Sequence, residues 1–127
     1  MESDVLVVDD SAAIRKILQR VLRQTGMAIR TIHEAGDGQE ALELMKSQSV
    51  HLVLTDINMP RMDGKQLCEA ASHLKLERTF LTIIITARII PDDQQWISAM
   101  QDTVFMEKPF SPSSILERID RYFGVKR

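Results

Sequence analysis

Three runs in this chain are apolar without alternation: "VLVV" (5–8), "LVL" (52–54) and "FLTIII" (80–85). A strand with one wet face alternates apolar and polar residues, because successive side chains point to opposite faces. Unbroken runs of this length therefore indicate strands buried on both faces, as in a parallel sheet. A shorter run, "VFM" (104–106), and a mixed segment, "IRTIHEA" (29–35), complete a set of five strand candidates.

Helix-period segments lie between them. Ile14, Ile17, Leu18, Val21 and Leu22 repeat at helical spacing, and Gly26 stands just past them, where a helix end is expected. Ala41, Leu44 and Met45 predict a second helix, and Leu67, Ala70, Ala71 and Leu74 a third. Ile97 and Met100, with Trp96 beside them, predict a weaker fourth. Ile115, Leu116, Ile119, Tyr122 and Phe123 predict a fifth, opened by Ser111 as N-cap and Pro112 at the first helical position. Five alternations of strand and helix call for an α/β fold, a doubly wound five-stranded parallel sheet with helices on both faces. With 127 residues, no repeat and no linker, one domain over residues 1–127 is expected.

A hydrophobic fraction of 44% is enough for one core, and 27% charged residues is an ordinary balance. The net charge of −2 makes no electrostatic case for nucleic-acid binding. No apolar run is long enough to span a bilayer, and "MESDVLVVDD" is no secretory signal, so a cytoplasmic location is expected. The one cysteine, Cys68, falls inside a helical pattern and reads as a small core residue.

In open parallel sheets, ligands bind beyond the carboxyl ends of the strands. The first strand ends in Asp9-Asp10, the third in Asp56, the fourth in Thr86 and the fifth in Glu107-Lys108-Pro109. Taken singly, each has a plain structural explanation. Asp10 or Ser11 caps a helix, Asp56 caps a turn, Thr86 suits a strand, and Lys108 is a solvated lysine. Taken together, three carboxylates at one edge repel and raise one another's pKa, which a hard divalent cation relieves. Mg²⁺ uses one or two carboxylates with phosphate oxygens and waters, and an adjacent lysine fits a site that also takes a phosphate. A carboxylate can then act as nucleophile, forming an aspartyl phosphate.

The set "VVDD", "LTDINMPRMDG", "IITA" and "EKPF", in this order, resembles the receiver domain of two-component response regulators, closest to the single-domain chemotaxis type. The resemblance covers essentially the whole chain. It implies a sheet of order 2-1-3-4-5 and a phosphorelay function. By that resemblance Asp56 is the phosphoacceptor, Asp10 a direct Mg²⁺ ligand, Asp9 its neighbour holding the metal through water, and Asn58 a backbone-carbonyl ligand. Thr86 is the switch hydroxyl, Lys108 the phosphate-binding lysine and Phe105 the switch aromatic. Ala87 leaves space over the phosphoryl group. Asn58 and Arg88 stand where residues tune phosphoryl lifetime, and the Lys108–Pro109 bond stands where a cis peptide is common. The implied partners are a sensor histidine kinase or phosphotransfer protein, a phosphatase, and an output protein reading the face of the fourth helix, fifth strand and fifth helix. The chain would be a self-modifying phosphoacceptor and not a dedicated enzyme.

Two departures stand out. "ISAMQDTVFMEKPF" lacks the glycine usual before the fifth strand, which leaves open how that turn is made. Ile89 and Ile90 stand where many relatives are polar; they either tuck under the fourth helix or form an apolar contact for a partner or second copy. Two competing readings carry less support. A haloacid-dehalogenase-type phosphatase would show a D-x-D pattern, where this chain has Asp56-Ile57-Asn58. A receiver-like scaffold that takes no phosphate would not need the acids and lysine that are present. No Gly-rich phosphate loop follows the first strand, which disfavours nucleotide binding.

Overall fold

The computed structural model describes residues 2–74, 80–108 and 110–124. Five strands, β1 (Ser3–Val8), β2 (Ile29–Ala35), β3 (Leu52–Thr55), β4 (Leu81–Thr86) and β5 (Thr103–Glu107), alternate with five helices. The helices are α1 (Ala12–Gln24), α2 (Gly38–Ser47), α3 (Gly64–Ser72), α4 (Pro91–Ala99) and α5 (Pro112–Phe123). All four strand pairings are parallel, and the order is β2-β1-β3-β4-β5.

The apolar runs are unbroken because each strand feeds two cores. Val5 and Val7 of β1, Leu52 and Leu54 of β3, and Leu81, Ile83 and Ile85 of β4 pack with Leu18 and Leu22 of α1 and Ile115 and Ile119 of α5. The intervening residues Leu6, Val8 and Val53 pack on the other face with Ala41 and Met45 of α2 and Leu67 and Ala71 of α3. A third cluster joins Ile84 to Cys68, Ile57, Ile89 and Ile97, with Trp96, Met100 and Phe105 against it. So α1 and α5 cover one face, and α2, α3 and α4 cover the other. Burial pushes the Cys68 thiol up to about 12, which suits a packing role and not a nucleophile.

Helix ends follow local chemistry. Ser11, Asp37, Asp63 and Ser111 each accept a backbone N–H of the following first turn, and Asp63–Gln66 and Ser111–Ser114 form capping boxes. Gly26, just past α1, has a left-handed φ of 78°. In α1, Ile17 is 47% exposed although its spacing matches the apolar face. Leu18 and Leu22 are buried, so Ile17 falls at the solvent edge of the stripe.

The turn that lacks a glycine is made by Asp102, at φ 54°. Aspartate tolerates this region better than most residues because its short side chain bonds locally. The Asp102 carbonyl accepts the Thr82 N–H at 2.9 Å, which ties the turn to β4. No helix among the described residues is long and apolar enough to cross a membrane.

The two isoleucines after β4 part company. Ile89 is buried in the third cluster, while Ile90, the N-cap of α4, is 44% exposed. Ile89→Ala should cost about 2–5 kcal/mol of unfolding free energy, whereas Ile90→Ser should stay within about 0.5 kcal/mol of wild type. Urea unfolding of both variants checks this; equal losses would contradict the divided packing.

Candidate functional site

The strand order reverses between β1 and β3. The chain leaves β1 towards β2 on one side and returns to β3 on the other, and this reversal opens a crevice at the carboxyl ends. Val8 lies opposite Thr55 in register, so the next residues, Asp9 and Asp56, flank that crevice. The Asp56 N–H donates to the Val8 carbonyl at 3.2 Å. On the other side of β3, Thr55 pairs with Ile84, and Thr86 pairs with Glu107 of β5. The Lys108 N–H donates to the Thr86 carbonyl at 2.9 Å, fixing the lysine backbone to the end of β4.

Asp9 is buried and its Oδ1 accepts the Ser11 N–H at 2.9 Å. Burial raises its pKa, and Asp56 and Asp10 push the same way, while the Ser11 N–H and Lys108 oppose them. Asp9, Asp10, Asp56 and Lys108 therefore share one electrostatic neighbourhood. Asp56 is half-buried, and its Oδ1 accepts the Ile57 N–H at 2.7 Å. Asp10 and Asn58 are exposed.

The three acids do not close into a ready-made cage. Among the described residues, no three His, Cys, Asp or Glu side chains are grouped to hold a metal. Asp9 and Asp56 each turn one oxygen to a neighbouring N–H, and Asp10 faces solvent. Mg²⁺ needs only one or two carboxylates with other oxygens, so the paired acids at the crevice fit this hard cation. A buried acid disfavoured in its charged form is the electrostatic condition that a cation relieves.

Thr86 is buried, and Ala87 and Arg88 beyond it are exposed. Phe105 is half-buried against the third cluster, beside α4. The Lys108–Pro109 peptide bond involves Pro109, which lies outside the described residues.

The structure adds residues that the motifs did not mark. Arg15 of α1 donates from Nη1 to the Asp9 carbonyl at 2.6 Å and from Nε to Glu34 at 3.0 Å. Gly64 opens α3 against the acid itself: its N–H donates to the Ile57 carbonyl at 2.7 Å, and an added Cβ would lie 2.4 Å from the Asp56 carbonyl oxygen. Asp37, fully buried, caps α2 and takes the Arg61 guanidinium. The cap was legible as Asp37 followed by Glu40; its pairing with Arg61, 24 residues away, has no local signal.

A family model described as the response regulator receiver domain matches residues 5–120. The transcriptional regulatory protein PdtaR of Mycobacterium tuberculosis is 36% identical over 116 residues, which are 91% of this chain and 54% of that protein. The probable chemotaxis protein CheY of Rhizobium etli is 32% identical over 121 residues, 95% of this chain and 92% of that protein. The solved structure of the chemotaxis protein CheY4 of Vibrio cholerae matches with a TM-score of 0.81 and 28% identity, over 95% of this chain and 98% of that one. The chain thus spans about half the length of PdtaR and nearly all of the CheY proteins.

The raised pKa of Asp9 sets a sign for stability. A carboxyl whose folded pKa lies above its ordinary 3.8 stabilises the fold when protonated, and that contribution is lost as pH rises through the folded value. In EDTA, Asp9→Asn should therefore melt above wild type at pH 7, with the gap closing as pH falls through the raised folded value towards the ordinary 3.8. Thermal scans across this range check it; a gap independent of pH would contradict it.

Proposed function

The chain belongs to the response regulator receiver domain family of two-component systems, and on that premise we propose that it accepts a phosphoryl group on Asp56 and signals through protein contact. The observation that carries this reading is the pairing of Asp9 and Asp56 across the β1–β3 crevice, with Lys108 within their electrostatic reach and tied to Thr86.

The donor is a phosphohistidine on a sensor histidine kinase or phosphotransfer protein. An Asp56 carboxylate oxygen attacks the phosphorus; the O–P bond forms as the P–N bond breaks, and the imidazole leaves, taking a proton from water. When bound, Mg²⁺ neutralises charge on the transferring oxygens. Asp10, Asp56 and the Asn58 carbonyl would hold it directly and Asp9 through water. Lys108 presents a compact positive charge to another phosphoryl oxygen. Ala87 leaves room above the acceptor.

The aspartyl phosphate is a new dianion that attracts the Thr86 hydroxyl. The space Thr86 leaves lets Phe105 turn inward, which shifts the population between two packed states of the α4–β5–α5 face. Phe105 cannot donate a hydrogen bond, so the switch works by packing. Ile90, exposed at the start of α4, offers an apolar contact. Water, or a phosphatase acting in the same site, then removes the phosphoryl group, so the chain is a phosphoacceptor and not a dedicated enzyme. Its partners act in the cytoplasm. A chemotaxis output is supported by the likeness to the CheY proteins, and a transcriptional one by the likeness to PdtaR.

With Mg²⁺ and acetyl phosphate, intact-mass measurement should show a gain of one phosphoryl group that disappears in EDTA and in Asp56→Asn. No gain, together with no Mg²⁺ or beryllofluoride response in Trp96 fluorescence, would favour a receiver-like scaffold that takes no phosphate. Arg88, two residues beyond Thr86, should tune the lifetime of the phosphoryl group. Arg88→Ala should change the dephosphorylation rate, measured by loss of that mass; an unchanged rate would make Arg88 an ordinary exposed arginine.

A further inference from the structure

The loop that follows Asp56 contains a conformational exception. Arg61 has φ 63°, a left-handed backbone that a long side chain rarely adopts. Such residues persist only where the surroundings over-determine them. Here the surroundings are the N-terminus of α2. The Arg61 guanidinium donates to Asp37 Oδ2, with Nε at 2.7 Å, while Asp37 Oδ1 accepts the Glu40 N–H at 2.8 Å. The Glu40 N–H and the Arg61 charge hold the Asp37 carboxyl below its ordinary range despite burial. Next to this pair, the Gly38 N–H donates to the Met62 carbonyl at 2.9 Å, and a Cβ on Gly38 would lie 2.7 Å from that same oxygen.

At its far end the loop is held again, by Gly64 against the Ile57 and Asp56 carbonyls. Between these anchors lie Asn58, Met59 and Pro60, and Asn58 is exposed. The loop therefore hangs between the phosphoacceptor strand and α2, and the only charged link across that gap among the described residues is Arg61–Asp37.

We propose that the Arg61–Asp37 ion pair is a positioning device for the Asp56 site, holding loop 57–63 so that its backbone oxygens stand ready for a divalent cation beside Asp56. This rests on the reading of Asp56 as a Mg²⁺-assisted phosphoacceptor. Arg61 itself touches no reacting group. It acts through the loop, and Asp37 serves two elements at once, capping α2 and clamping the strand-to-helix connection. A single buried carboxylate thus couples the placement of α2 to the placement of the site.

The test compares wild type, Arg61→Ala, Arg61→Lys and Asp37→Asn, each verified as folded by circular dichroism. Asparagine keeps the α2 cap while removing the charge that Arg61 seeks. Calorimetric titration with Mg²⁺ alone should show about 10-fold weaker binding in Arg61→Ala and Asp37→Asn, the lower end of what supporting residues contribute to metal affinity. Arg61→Lys should recover part of it, since lysine keeps the charge but not the fork. Arg61→Ala combined with Asp37→Asn should lose no more than either single variant. In EDTA, amide exchange should quicken at Gly38 and Gly64, the two N–H groups that anchor the loop, in Arg61→Ala. Variants that bind Mg²⁺ as wild type does, with unchanged exchange at both glycines, would overturn the positioning role and leave the phosphoacceptor reading intact. A wild type that binds no Mg²⁺ would overturn that reading and this inference with it.

Discussion

The parallel pairing of β1 with β3 is the constraint on which the rest depends. It buries two strands on both faces, so their sequences have no room for polar residues until they reach the carboxyl edge. It also places the reversal in strand order between them, where the two adjoining helices diverge and a crevice must open. Asp9 and Asp56 are the first residues past Val8 and Thr55, which are register partners. Their proximity is therefore a property of the ladder. A slip in that register would turn Val5 and Val7 to the face that Leu6 and Val8 now serve, and the two cores would lose their partners.

Charge at the edge follows from this placement. Asp9 is buried because β1 is a central strand, and burial is the first cause of its raised pKa, ahead of its acidic neighbours. The crowding of carboxylates that the sequence suggests is thus real but secondary, and among the described residues it stops short of a closed metal cage. Lys108 offsets part of the repulsion through the Thr86–Lys108 backbone contact, which joins the β4 and β5 ends into the same edge.

Close backbone approach does for the loops what side-chain packing does for the core. Gly38 and Gly64 begin their helices where a Cβ would meet carbonyl oxygen at 2.7 Å and 2.4 Å, so α2 and α3 can sit hard against the connection that carries Asn58. Asp102 meets a different demand, a left-handed backbone, which aspartate accepts, and its carbonyl is held by the Thr82 N–H.

The sequence by itself determined the elements, their alternation and the residues at the strand ends. Each of these rests on local rules: unbroken apolar runs for β1, β3 and β4, helical spacing for α1 and α5, and the cap at Ser111 with Pro112 at the first helical position. It also carried the family likeness, because "VVDD", "LTDINMPRMDG", "IITA" and "EKPF" fall where the carboxyl edge collects them. Only the tertiary structure decided how neighbours that look alike divide their roles. Ile89 went into the core and Ile90 to solvent, and Ile17 left the face its spacing promised, because burial depends on which helix packs where. Only the fold, too, brought Arg15 to Glu34 and Arg61 to Asp37. These contacts join segments far apart in the chain, and no local pattern records a distance that exists only once the sheet has closed its register.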